Sequence, residues 1–257
     1  MELDSTRTVQ ENLNDLYNLK KKLKRKLDTL NNVLKDSKVK LEEAKETEEV
    51  RKVQDDLKVL HAQRIKKWFE KFHWFYTSKG KLAIGGRDAQ QNDLVYSRYL
   101  EDNDLFFHAD IQGASAVILK DGLNADEKEL EECAQFTASY SKAWVRGFAN
   151  IDVYCLKKEQ VSKHSNAGFV GKGGFALKGE RKWFRNTKLE LVLFAKEVDN
   201  VNIIHLGTDE EIKHKTVIIP GKNKKSEIAK KVAVKFKVDK DDIIQMLPGP
   251  SSIKKVK

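Results

Sequence analysis

Leucine recurs through the first third of the chain at a spacing that commits it to a long helix. Leu13, Leu27, Leu34 and Leu41 share one seven-residue register, with Lys20 in the remaining slot; Leu16, Leu23 and Leu30 follow three residues later. These are the a and d positions of a coiled coil. A helix over Glu11–Ala44 is roughly 50 Å long at 1.5 Å per residue. Val50, Val53, Leu57 and Leu60 then repeat the spacing two residues out of step, across a KETEEV segment without Gly or Pro. Either a discontinuity carries the helix on, or the chain reverses into an antiparallel hairpin. A hairpin buries both seams within one chain, whereas a lone long helix has to dimerise. The expectation is a helical coiled-coil hairpin over residues 1–66, turning through Glu43–Glu49, ahead of a globular domain over residues 67–257.

The globular part reads as α+β, a mixed or antiparallel sheet with packed helices, because strands and helices follow one another without regular alternation. Strand patterns fall at Trp74–Ser78, Lys81–Ile84, Asp104–Asp110, Ala114–Lys120, Ile151–Cys155, Gly174–Lys178, Leu189–Ala195, Asn202–His205 and Thr216–Ile219. Helices are expected at Ala89–Tyr99, from an Asn124 cap through Trp144 to Gly147, at Ser226–Phe236 and at Asp241–Met246. Trp68, Phe69 and Phe72 lie on one helical face just before the first strand. Such rings stack on bases, but here they read first as core packing where the helix meets the domain.

Charge narrows the function. Among 257 residues, 49 are Lys or Arg and 39 are Asp or Glu, a net +10 with pI near 9.3. That balance favours nucleic acid or another polyanion. Two cysteines, Cys133 and Cys155, make a disulfide scaffold unsuited to this chain and fit a reducing compartment. No apolar run approaches the ~20 residues of a membrane span, and the first residues lack a signal-peptide core, so the expected location is the cytoplasm, with no membrane partner.

Three segments carry candidate chemistry. Gly85-Gly86-Arg87-Asp88 joins a strand to a helix: the glycines permit positive φ or close approach to a ligand, Asp88 stands at the N-cap, and Gln91 follows three residues on. With Arg87 as a guanidinium fork and Asn92 next along the helix, this is an anion site in outline or a well-capped turn. His108 and Asp110 share a strand face, as a pair buttressing the Gly113 turn, a nucleic-acid contact, or a general base with its orienter. Residues 156–188 hold nine basic residues, Lys163, Lys172, Arg181 and Lys182 among them, against Glu159 and Glu180, a net +7. Glycines interleave with those charges, and Phe169, Phe175, Trp183 and Phe184 add aromatic faces. A basic glycine loop lets amides and cations track a phosphate chain; the bland alternative is a solvated loop. No GxSxG, HExxH, CxxC pair or Walker loop occurs, so neither enzyme, cofactor nor metal site is expected.

GGRDAQQN followed by FFHADIQGAS, preceded by WFEKFHWFYTSKG, resembles the RNA-binding R domain of the NFACT proteins, the NEMF/RqcH/FbpA/Caliban group of ribosome quality-control factors, in its archaeal type. The likeness continues in QVSKHSNAGFVGKGGFALKGERKWF, VIIPGKNKKSEIAKKV and LPGPSSI, and the opening LDSTRTVQENLNDLYNLKKKLKRK resembles the start of the family's coiled-coil middle domain. Two positions depart from it: Gln112 stands where the family is expected to prefer His, and Gly174-Phe175 follow Gly173 where a Gly-Ser-Phe is typical.

The resemblance implies an RNA-binding module that contacts tRNA and large-subunit RNA at stalled peptidyl-tRNA complexes and supports C-terminal tailing of the nascent chain. It implies Gly85, Gly86, Arg87, Asp88, Gln91, Asn92, His108, Asp110, Lys163, Lys172, Arg181 and Lys182 as RNA-binding positions. The family's N-terminal part, with its helix-hairpin-helix region and Asp-Arg motif, has no counterpart in these residues. The expectation is a fragment or a split gene, with an NFACT-N-containing partner and an arm open to a protein partner. Two alternatives stand beside it: a coiled-coil adaptor that binds nucleic acid without tailing, and an RNA-processing enzyme centred on His108 and Asp110.

Overall fold

The computed structural model describes residues 6, 8–63, 67–165, 168–198, 201–207 and 215–254. It divides into two compact units, residues 1–53 and 54–257. The expected hairpin is not there: one helix, α1 (Val9–Gln63), runs unbroken through Glu43–Glu49. The reason lies in that segment, which holds strong helix formers and nothing that reverses the chain. The helix starts in a capping box. Thr8 Oγ1 accepts from the Glu11 amide at 3.3 Å, and the Glu11 carboxylate accepts from the Thr8 amide at 2.8 Å. The Thr8 amide and the Thr8 hydroxyl, both donating to that carboxylate at 2.8 Å, hold it below its usual pKa. Leu13, Leu23, Leu27, Leu30, Leu34 and Leu41 are 55–65% exposed, so these side chains of the first seam are not covered by the described residues of this unit. The second seam's side chains, Val50, Val53, Leu57 and Leu60, lie outside the described residues.

In the second unit a 3-10 turn (Trp68–Lys71) leads into β1 (His73–Tyr76) and β2 (Leu82–Gly85). Then come α2 (Ala89–Leu94), continued by a π turn over Val95–Tyr99, and the strands β3 (Leu105–Ala109) and β4 (Val117–Leu119). Next are α3 (Glu127–Ser139), α4 (Lys142–Val145) and β5 (Asn150–Lys157). The short strands β6 (Val161–Ser162), β7 (His164–Ser165), β8 (Gly168–Phe169) and β9 (Ala176–Leu177) precede β10 (Lys182–Lys188). β11 (Leu191–Val198), β12 (Val201–Gly207), β13 (Lys215–Asn223), α5 (Lys225–Phe236), α6 (Lys240–Met246) and β14 (Ser251–Ile253) complete the unit.

The main sheet has the order β1-β2-β4-β3-β5-β10, with antiparallel neighbours throughout; a second sheet runs β12-β11-β13-β14. Strand period two divides the core. Phe75, Ala83, Phe107, Val117, Val153, Cys155 and Phe184 point to the α3 side. Trp74, Ile84, Phe106, Ile118, Tyr154 and Leu156 point the other way, onto Phe69, Phe72 and Val95. Phe69 and Phe72 are thus core, with Phe69 edge-on to Trp74 at 5.1 Å, while Trp68 stays half exposed and stacks on Tyr99 at 4.6 Å.

Three expectations are corrected locally. The helix begins at an Asp126 cap, not Asn124, in a reciprocal capping box with Glu129. It ends at Ser139, because Tyr140 leaves helical geometry and Ser141 caps the separate turn α4. The stretch around Trp183, read as part of a basic loop with aromatic faces, is an edge strand with a bulge between Phe184 and Thr187, where Asn186 takes φ +55°.

Candidate nucleic-acid interface

The end of β2 builds the site. Gly85 and Gly86 have ordinary negative or extended φ; they are glycines because of close approach. A Cβ on Gly86 would lie 2.3 Å from Asn92 Oδ1 and 2.5 Å from its amide nitrogen, and one on Gly85 would lie 2.9 Å from Val117 Cγ2. The tight turn lets Asp88 cap α2, accepting from the Gln91 amide at 2.8 Å, while Gln91 Oε1 accepts from the Arg87 amide at 3.1 Å. Asn92 is buried, and its Oδ1 accepts from the Ala116 amide at 3.0 Å. Ser115 Oγ donates to the Gly86 carbonyl at 2.6 Å, and the Gly86 amide to the Ala116 carbonyl at 3.2 Å. The GGRD turn and the Gly113–Ala116 segment are therefore one stitched unit. Arg87 turns its guanidinium back onto the carbonyls of Phe72 (3.1 Å) and Glu70 (3.3 Å), and burial lowers its pKa.

The glycine-rich loop folds over the same helix start. Gly173 has φ +76°, and a Cβ there would lie 2.7 Å from the Ala89 methyl. Asp93 Oδ1 accepts from the Gly173 amide at 3.1 Å and from Lys163 Nζ at 2.7 Å. Lys163 also donates to the Gly174 carbonyl at 2.7 Å and lies 4.8 Å from the Phe175 ring centroid. Lys163 is the pin of this loop, and Lys172 is exposed at its tip with no ion pair among the described residues.

A cleft of about 510 Å³ results, lined by Gly86–Ala89, Asn92, His73, His108, Gln112–Ser115, Tyr140–Lys142, Val145, Lys172–Gly174 and Pro248. Its charged lining is Arg87, Lys142 and Lys172 against Asp88, which is engaged in its cap. His73, opposite Gly85 in the β1–β2 register, stacks on Tyr140 at 3.9 Å. Burial, reinforced by the charges of Arg87 and Lys225, takes the His73 pKa down to about 3, so the ring is neutral at physiological pH. Burial also pushes the Tyr140 phenol well up; its hydroxyl donates to the Met246 carbonyl.

His108 lines the cleft, and among the described residues it hydrogen-bonds to no carboxylate. Its Nδ1 stands 3.4 Å from the Tyr154 hydroxyl, and burial lowers its pKa although Asp110 opposes that shift. Asp110 has left the strand and is exposed. Across the sheet His108 pairs with Tyr154, and Tyr154 with Trp183. Arg181 lies over Tyr154 at 4.7 Å and Arg185 over Trp183 at 4.1 Å. This aromatic–guanidinium row went unread in the sequence; its signal was the alternation Arg181-Trp183-Arg185. Lys182 falls on the other face, paired with Glu127 at 2.5 Å beside Phe184. Gly85 and Gln91 support the turn from behind rather than lining the cleft.

Among the described residues, no group of three or more His, Cys, Asp or Glu is placed to hold a metal, and no helix is long and apolar enough to cross a membrane. Cys133 and Cys155 are free and buried, and burial raises both thiol pKa values, that of Cys155 to about 11.

Residues 71–179 match the family described as the NFACT protein RNA binding domain. That segment contains the GGRD turn, His108, Gly113 and the Lys172–Gly174 loop. Over 195 residues the chain is 37% identical to the archaeal Rqc2 homolog aRqcH of Methanocaldococcus jannaschii, covering 72% of this chain and 29% of that protein. It is 33% identical over 216 residues to the ribosome quality control complex subunit NEMF homolog of Drosophila melanogaster, covering 80% of this chain and 21% of that one. The chain thus spans less than a third of the length of these relatives. It carries an NFACT R-type domain and is homologous to NEMF and RqcH proteins. A solved structure, the C-terminal part of the fibronectin/fibrinogen-binding protein from Streptococcus suis, aligns over 50% of each chain at 22% identity and TM-score 0.40.

Proposed function

We propose that the cleft binds RNA, and that the chain acts in ribosome quality control by contacting tRNA and large-subunit RNA at stalled peptidyl-tRNA complexes. The observation that carries this reading is convergence. Three motifs far apart in sequence, GGRD, HADIQG and GKGG, meet around one cleft with Arg87, Lys142 and Lys172 in its lining. Such a lining suits phosphates, since each cation that replaces a counterion favours binding. The neighbouring Tyr154–Trp183 row with Arg181 and Arg185 supplies ring and guanidinium planes of the kind on which unpaired bases stack.

Relatives named for ribosome quality control support the cellular role. Tailing of the nascent chain would then need an NFACT-N-type part, joined to this chain or carried by a partner, and the exposed leucines of α1 offer a helical protein somewhere to pack. His108 faces a phenol rather than Asp110, so the pair favours RNA contact over hydrolysis. The test is fluorescence anisotropy of labelled tRNA with the full chain. Arg87→Ala is expected to weaken binding several-fold, whereas Asp88→Ala, which costs a helix cap but removes a negative charge from the lining, is not expected to weaken it. Unchanged affinity for Arg87→Ala together with Lys172→Ala would refute the cleft as the RNA site.

A further inference from the structure

The outer edge of the main sheet is shaped around one aromatic ring. β10 ends that sheet beside β5, and Asp152 braces its bulge from two sides: Oδ1 accepts from the Asn186 amide at 2.8 Å and Oδ2 from Arg185 Nη1 at 2.6 Å. So held, the Arg185 guanidinium lies 4.1 Å from the Trp183 ring centroid, while its side chain stays 62% exposed. Trp183 is half-buried and meets Tyr154 edge to face, with ring centroids 5.1 Å apart. Arg181, exposed and in no ion pair among the described residues, lies over Tyr154 at 4.7 Å and within 5.8 Å of the Trp183 centroid. The Tyr154 hydroxyl stands 3.4 Å from Nδ1 of His108, which lines the cleft. His108, Tyr154 and Trp183 thus cross β3, β5 and β10 in register. Two strand spacings, about 10 Å, carry the line from the cleft wall to the sheet edge.

We infer that Trp183 and Arg185 form a shelf that stacks one unpaired base of the RNA whose phosphates the cleft holds. The inference rests on the RNA-binding reading and deepens it by naming the substrate class: RNA with a single-stranded stretch, in preference to a continuous duplex. Bases inside an A-form duplex are paired and already stacked, so no ring face is open to an indole or a guanidinium; an unpaired base offers both faces. Trp183 is the floor of the shelf, Arg185 the exposed surface above it, and Asp152 the brace that keeps Arg185 there. A simple phosphate contact would need neither the ring beneath the cation nor the carboxylate that holds it. A protein strand is a poorer occupant of this edge. The bulge interrupts its ladder, and Arg181, Lys182, Arg185 and Lys188 line it with exposed charge.

The experiment measures the anisotropy of a labelled single-stranded oligoribonucleotide, and of the same strand annealed to its complement, with the full chain. Arg185→Lys keeps the charge but removes the guanidinium plane, so it should weaken single-strand binding several-fold at an unchanged salt slope. Trp183→Leu should weaken it about tenfold, as for one lost base–aromatic stack, and Trp183→Phe should stay within about threefold of the parent. Duplex binding should be the same in all four proteins. Thermal melts check that each variant is folded, and Arg185→Lys, a change at an exposed side chain, tests the shelf even where Trp183→Leu does not fold. If the shelf variants lose single-strand binding while Arg87→Ala and Lys172→Ala bind like the parent, the shelf stands and the cleft reading fails. If the cleft variants weaken binding while Arg185→Lys and Trp183→Leu match the parent, the shelf is overturned and the cleft remains. Equal losses on single strand and duplex, or a parent that binds the duplex alone, also overturn the shelf.

Discussion

Replacing Lys163 by Met should loosen the glycine-rich loop without unfolding the domain. Lys163 Nζ holds Asp93 Oδ1 at 2.7 Å and the Gly174 carbonyl at 2.7 Å, with side-chain exposures of 15% for Lys163 and 31% for Asp93. Exposed pairs contribute about 0–1 kcal/mol, whereas breaking a buried pair costs about 3–5 kcal/mol. This pair lies between those limits, and Met retains the aliphatic contact with Phe175, so about 2 kcal/mol is expected. For a unit of this size that corresponds to a fall in Tm of roughly 4–8 °C. The local signature is sharper. Asp93 also accepts from the Gly173 amide at 3.1 Å, so exchange of that amide should accelerate by about tenfold or more through local opening, while core amides such as Phe107 accelerate only through the loss of global stability. Calorimetry and hydrogen exchange read the two effects, and a double substitution with Asp93→Ala should fall short of additivity by about 1 kcal/mol. An unchanged Tm together with unchanged Gly173 exchange would refute the idea that Lys163 pins the loop.

Further outcomes follow from the same geometry. Gly86→Ala should fail to fold or lose several kcal/mol, because its Cβ meets Asn92 Oδ1 at 2.3 Å, the Asn92 amide nitrogen at 2.5 Å and the Gln91 carbonyl carbon at 2.8 Å; thermal melts read this. His73 has a native pKa of about 3 against about 6.5 unfolded, so the unfolded chain binds the extra proton, and stability should fall as pH drops from about 6.5 towards 3. His73→Phe should flatten that loss between pH 6.5 and 5 in urea titrations, and equal slopes in parent and variant would contradict it. Lys172→Ala should lower both tRNA affinity and salt slope, whereas Lys182→Ala, on the opposite face with Glu127, should leave both nearly unchanged in the same anisotropy series.

The sequence carried the local chemistry better than the long-range geometry. The Asp88 cap, the buried faces of β1 to β5 and the burial of Phe69 and Phe72 follow from patterns a few residues long. The same local signals were available where the reading went astray. Asp126-x-x-Glu129 is a capping box, and Ser141 can restart a helix, yet Asn124 and a single long helix looked sufficient. Two out-of-step leucine seams suggested a reversal, but Glu43–Glu49 contains nothing that turns a chain, and helical hydrogen bonding ran through it. Charge concealed β10, because Lys182 and Arg181 read as one basic cluster until strand alternation sends them to opposite faces. What no local pattern conveys is that Gly173 lands on Ala89, or that Lys163 reaches Asp93. Those depend on the β-sheet register and on packing between segments some seventy residues apart or more.

The measurement that bears most directly on the cleft is zero-length photo-crosslinking of tRNA to the full chain, with the crosslinked residues identified by mass spectrometry. The account predicts adducts in the Arg87–Asn92, His108–Ser115 and Lys172–Gly174 segments, with further adducts at Trp183. Adducts confined to the Lys20–Lys26 stretch of α1 or to the outer face of α5, with those three segments unmodified, would contradict it.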